Sequence, residues 1–197
     1  QTAAIKADTY AKMLHIDRTS IVNDDEGEFG QAAASLGKAA ARKLADLTVT
    51  TLLGGISSFF SEANGNLLDD PLSLAAVETA VAVLRSRVDA DGDNLDITPV
   101  VLLVGPALES TARAICESDF IQAAEGAPTG NSMRGVLVPV VEPRLANENI
   151  VGASATAWGV LAGPVDSPQA VCFLNGMEVP TVEELGMQAD VNHLGLA

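Results

Sequence analysis

The sequence predicts an α+β fold, and three observations carry that prediction. Residues 25–53 place apolar side chains at helical spacing over an alanine-rich run. Two short apolar runs, 99–104 and 136–141, have the length and β-branched content of strands. Asn175-Gly176 lies between the apolar run 171–174 and Met177-Glu178-Val179, a pattern that favours a type I′ hairpin turn.

The elements follow in order. Residues 3–21 alternate loosely, with Ile5, Tyr10, Met13, Ile16 and Ile21 among polar neighbours, and read as a partly exposed strand. Asn23 is the expected N-cap of the long helix, with Glu26 as its capping-box partner and an acidic cluster facing the positive end of the helix dipole. Phe29, Ala33, Leu36, Ala40, Leu44, Leu47 and Thr51 form its apolar stripe, and Gly54-Gly55 ends it. Asn64-Gly65-Asn66 marks a turn. Ser73 then caps a second helix with a stripe of Leu74, Val77, Val81, Leu84 and Val88. A polar turn at 89–94 leads into 99–104, a strand buried on both faces. Gly105-Pro106 opens a third helix with Leu108, Ala112 and Ile115 inward. Residues 118–132 read as a loop. Pro139 puts the 136–141 strand at a sheet edge. Ile150-Val151 and residues 158–161 read as extended, and 189–197 as the start of a further strand.

Composition excludes several function classes. The 197 residues carry 11 basic and 26 acidic side chains, a net charge of −15. That balance argues against electrostatic capture of nucleic acid or an anionic membrane. A 48% hydrophobic and 19% charged composition is the reverse of the disordered signature. The apolar content is mostly small: Trp, Tyr and Phe total seven. Two cysteines, Cys116 and Cys172, make no disulfide framework and read as small buried hydrophobes. The sequence shows no signal-like start and no run of eighteen apolar residues, so a soluble protein of intracellular origin is expected. The chain is expected to be incomplete at both ends.

Candidate chemistry is sparse. The turn from Asp89 to Asp96 resembles a calcium loop, but glycine follows the second aspartate and the twelfth position is Val100, where an EF-hand needs glutamate. A solvated turn is expected. Val104-Gly105-Pro106-Ala107 lacks the glycines of a dinucleotide fingerprint and the Gly-Lys-Ser/Thr of a phosphate loop. His15 and His193 stand near opposite ends and no local cluster suits zinc. No nucleophile elbow frames a serine. Glu183-Glu184 would point apart on a strand. Lys6 and Lys12 read as charges that blunt an exposed strand rather than cross-linking groups. No catalytic, cofactor-binding or metal-binding residue is expected, and no enzymatic activity.

Thr19-Ser20-Ile21-Val22-Asn23-Asp24-Asp25, residues 85–96 followed by Val101 to Arg113, and Phe173-Leu174-Asn175-Gly176 with Pro180 and Glu183 resemble the Mu-like major head subunit family of tailed bacteriophages. Some members of that family are the C-terminal part of a prohead protease–major capsid fusion. The resemblance implies the Hong Kong 97 capsid fold, with a long spine helix, peripheral and axial domains and an extended loop. Residues 1–22 would be the returning strand of that loop. Residues 23–100 would form the peripheral domain with its spine helix at about 25–53, residues 101–170 mainly the axial domain, and 171–197 the return to the peripheral domain. An N-terminal arm would precede Gln1 and a closing strand would follow Ala197.

The implied function is a major capsid protein that self-assembles into the icosahedral shell around a double-stranded DNA genome. Its partners would be further copies of itself in pentamers and hexamers, with portal, scaffold and prohead protease, and no membrane. The DNA would be enclosed without specific binding. Assembly would occur in the host bacterial cytoplasm, and the product would be the virion capsid. A long alanine-faced helix and a strand without a local partner suit a subunit whose neighbours complete its burial. An acidic shell would also stay detached from its polyanionic contents. Two other readings are a capsid-fold cellular nanocompartment and a small α/β enzyme using the turn after Val104.

Overall fold

A computed structural model describes residues 7–13, 28–54, 59–121, 128–167 and 169–181; in the long helix the side chains of residues 28–30 and 32–33 are not described. The chain divides into two units, Gln1–Ala45 with Val171–Ala197, and Asp46–Ala170.

The Asp46–Ala170 unit is built on a three-stranded sheet. Strands β1 (Pro99–Val104), β4 (Val138–Val141) and β5 (Trp158–Ala162) lie in the order β4-β1-β5. β1 is central, parallel to β4 and antiparallel to β5, as its near-continuous apolar sequence requires. Leu102 and Val104 are fully buried. They point to one face, with Val160 and Trp158 beside them on β5. Helices α2 (Leu74–Arg85) and α3 (Glu109–Glu117) cover that face through Val77, Val81, Ala112, Ile115 and Cys116. On the other face, Leu103 meets a smaller cluster of Val49, Leu53 and Leu145.

Proline confirms its edge position in atomic terms. Glu142 donates its N–H to the Val104 carbonyl, so residues 138, 140 and 142 aim their backbone groups at β1. Pro139 faces the outer edge, where its missing donor leaves no ladder bond unmade.

Helix α1 (Glu28–Gly54) has 27 residues and is about 40 Å long. The expected N-cap, Asn23 with Glu26, lies outside the described residues. The expected apolar stripe is not the face that packs within the Asp46–Ala170 unit: Val49 and Leu53 are buried there. At about 100° per residue, Leu36, Ala40, Leu47 and Thr51 lie within about 40° of the opposite side. Leu36, Ala40 and Leu47 are half-buried, and Thr51 is exposed. The sequence spacing found the longer stripe; packing in this unit buries Val49 and Leu53 instead.

Helix α2 begins as expected. Ser73 adopts an extended conformation and its Oγ accepts the Ala76 N–H at 3.2 Å. Ser73→Ala is expected to lower stability by about 1 kcal/mol, seen as a shift of the urea midpoint without a change of slope. Val77 and Val81 are buried, but the last member of the expected stripe, Val88, lies beyond the helix. It pairs with Asn94 across the polar turn and is exposed. Arg87 donates to the carbonyls of Asn64 and Gly65, both at 2.6 Å, tying the Asn64-Gly65-Asn66 turn to the end of α2. Gly65 has φ +57, which accounts for glycine there.

Four further expectations are corrected. The 118–132 loop carries a short ladder, β2 (Phe120–Ile121) with β3 (Thr129–Gly130). Ile150-Val151 is a turn, not extended. Residues 7–13 carry no strand; the rest of the strand expected over 3–21 lies outside the described residues, as does that over 189–197. At Asn175-Gly176 both residues take the positive φ of a type I′ turn, +54 and +70, and Met177 donates to the Leu174 carbonyl at 3.1 Å. No strand ladder flanks this turn among the described residues, so the turn forms without the hairpin.

Candidate functional site

The described residues considered for chemistry form no common site. Lys6, His15, Glu183, Glu184 and His193 lie outside the described residues. Lys12 is exposed. In the acidic turn, Asp89 Oδ1 accepts the N–H groups of Asp91 and Asp93, both at 2.9 Å, so this carboxylate serves to shape the turn. No group of three or more His, Cys, Asp or Glu among the described residues is placed to hold a metal ion. After β1 a 3-10 turn (Pro106–Leu108) precedes α3, and Leu108 donates back to the Gly105 carbonyl at 3.0 Å. Glu109 likewise donates to the Pro106 carbonyl, so both N–H groups are spent within the turn.

The two cysteines differ. Cys116 on α3 is buried, and burial, reinforced by the Glu117 carboxylate, pushes its thiol above the ordinary pKa. Cys172 is exposed, against the sequence expectation. One thiol is therefore expected to react with a maleimide in the native chain at neutral pH, and both after denaturation. Equal reaction of both under native conditions would contradict the packing of α3.

What the chain does present is surface suited to contact. Arg144 fixes one part of it: it donates to Asp46 on α1 and to Glu142, and both hydrogen bonds raise its pKa. This holds the 3-10 turn Pro143–Ala146, with buried Leu145, against the Val49 end of α1. Toward its N-terminus that same helix face changes character. Gln31, Ser35, Lys38 and Arg42 occupy it, all exposed, within about 40° of Val49. Lys43 instead lies over the Tyr10 ring, 4.7 Å from its centroid. Elsewhere, Leu174, Met177 and Val179 follow one another in the Val171–Ala197 segment at 72%, 58% and 77% exposure. Val138 and Val140 stand exposed on edge strand β4. The sequence reading passed over Lys38 and Arg42, although their signal was present: residues 29–45 contain three basic residues and no acidic one.

A protein-family model described as phage capsid protein matches residues 1–197. The chain belongs to the phage capsid protein family. No curated protein and no solved structure matches it. Membership makes it a structural protein of a bacteriophage, located in the virion capsid. The α+β architecture, helices with mixed sheets, is consistent with that family. A capsid subunit has reason to leave apolar and charged surface open, because its neighbours are part of its folded environment. No helix among the described residues is long and apolar enough to cross a membrane.

Proposed function

We propose that this capsid protein is the major head subunit of a tailed bacteriophage. It self-assembles into pentamers and hexamers of an icosahedral shell that encloses double-stranded DNA. The observation that carries the proposal is the family match over the whole chain. The finer reading, a Mu-like head subunit of Hong Kong 97 fold, rests on the residue resemblance of 19–25, 85–113 and 173–183. In that reading α1 is the spine helix, residues 23–100 and 171–197 the peripheral domain, and 101–170 the axial domain. Residues 1–22 are the returning strand of the extended loop.

Portal, scaffold and prohead protease are the partners in this reading, and assembly takes place in the host cytoplasm. The subunit acts by shape and contact, without catalysis. The net charge of −15 supports a container that holds DNA without specific binding.

Negative-stain microscopy and light scattering of the purified chain test the proposal. Closed shells are expected from the purified chain, and nucleic acid inside particles isolated from the native source. A monodisperse monomer stabilised by a small ligand would overturn it in favour of an enzyme. Shells loaded with cargo protein instead of nucleic acid would overturn the phage-head reading.

A further inference from the structure

Charge is unevenly distributed along this chain. The Asp46–Ala170 unit contains five basic residues, all arginine, against sixteen acidic ones, a net −11. Four of those arginines are already committed: Arg87 to the carbonyls of Asn64 and Gly65, Arg113 to Glu109 and Glu117, Arg134 to Asp119, and Arg144 to Asp46 and Glu142. The acidic turn around Asp91 and Asp93 has no cation among the described residues paired to it, and all of 89–96 is exposed.

Residues 29–45 of α1 have the reverse composition, three basic residues and no acidic one. Lys38 and Arg42 are one helical turn apart on a single exposed face with Gln31, Ala34 and Ser35, and make no ion pair among the described residues. Asp46, one turn beyond Arg42, is engaged by Arg144, and two adjacent cations left without an ion pair among the described residues are unexpected in a chain with more than twice as many acids as bases.

We propose that the Lys38–Arg42 face of α1 docks against the acidic surface of the Asp46–Ala170 unit in a second copy of this chain, through the turn that carries Asp91 and Asp93. The proposal rests on the capsid reading and names the surface that two subunits share. The contact is heterologous: one patch meets a different patch on the next copy. Repetition of such a contact does not stop at a dimer, and gives rings where its rotation closes. Complementary charge fixes register and discourages wrong pairings, because a misplaced copy sets acidic surface against acidic surface. Screening adds a further consequence, that contact formation weakens as salt rises.

Charge reversal and its compensation supply the test. Asp91 and Asp93 are suitable because they bond within the turn through backbone groups, whereas the Asp89 carboxylate shapes it. The double variant Lys38→Glu/Arg42→Glu is expected to reduce the fraction of chain in particles at least tenfold, by sedimentation, with unchanged circular dichroism. Asp91→Lys/Asp93→Lys is expected to do the same. The four substitutions combined in one chain are expected to restore assembly.

Normal assembly of Lys38→Glu/Arg42→Glu would overturn the proposal. So would loss that the combined variant fails to rescue. Particles of normal yield but reduced nucleic-acid content would assign the face to phosphate contact and also overturn it. A parent chain that forms no particles refutes the capsid reading itself, and is thereby distinguished from failure of this contact alone.

Discussion

Leu102→Ala is expected to destabilise the chain by about 4 kcal/mol, the largest effect of any single substitution considered. Leu102 is fully buried at the middle of the central strand, between Pro139 on β4 and Val160 on β5, with α2 and α3 above it. Truncation removes the transfer energy of its methyl groups and leaves a cavity that strands held on both sides cannot close. Trp158 is the single tryptophan and packs against this core, so its fluorescence in a urea titration reports the loss directly. Val140→Ala provides the contrast. Val140 lies on the opposite face of edge strand β4 at 40% exposure, and less than about 1 kcal/mol is expected. Similar losses at the two positions would contradict the assignment of the sheet's faces.

Asn131→Ala is expected to cost about 2–3 kcal/mol. Its side-chain amide donates to the carbonyls of Ile115 and Ser118 at 2.7 and 2.9 Å, and its Oδ1 accepts the Met133 N–H at 2.9 Å. One side chain therefore closes the C-terminal end of α3 and sets the turn that delivers buried Met133 to the core. Alanine leaves three partly buried backbone groups without partners, and the cost of unmet hydrogen bonds exceeds that of the bonds themselves. Asn131→Asp keeps the size and loses both donations. It is expected to destabilise at least as much, since a carboxylate would then face two carbonyl oxygens. Recovery of near-parent stability in the aspartate variant would show that volume, not donation, matters at this position.

Much of the Asp46–Ala170 unit was legible because local signals and tertiary packing agree there. Ser73 caps α2, β1 is flanked on both sides, Pro139 marks an edge, and Ala112 and Ile115 face inward. Disagreement appears where burial depends on what lies beyond the element. The stripe of Leu36, Ala40, Leu47 and Thr51 satisfies helical spacing, yet the chain buries Val49 and Leu53 on the other side, because periodicity counts apolar positions without knowing which face meets the sheet. Asn175-Gly176 specified its turn through backbone conformation alone. The flanking residues did not pair, since Leu174, Met177 and Val179 have no core to alternate toward. Cys172 is exposed for the same reason. The contact surface itself was hidden in the sequence by averaging: a net −15 conceals an acid-free basic stretch on one helix.

These two classes of mismatch point in one direction. The helix has a second, partly exposed apolar side, its middle carries cations that make no ion pair among the described residues, and the 171–181 segment shows large apolar groups to solvent. A self-sufficient monomer would gain from covering them; a shell subunit leaves them for its neighbours. Electron cryomicroscopy of particles formed by the chain tests this most directly. The expected reconstruction is a closed icosahedral shell in which α1 lies against an adjacent subunit and Leu174, Met177 and Val179 are covered. A chain that remains a monomer at all concentrations, or a shell in which α1 and these residues face solvent, would contradict it.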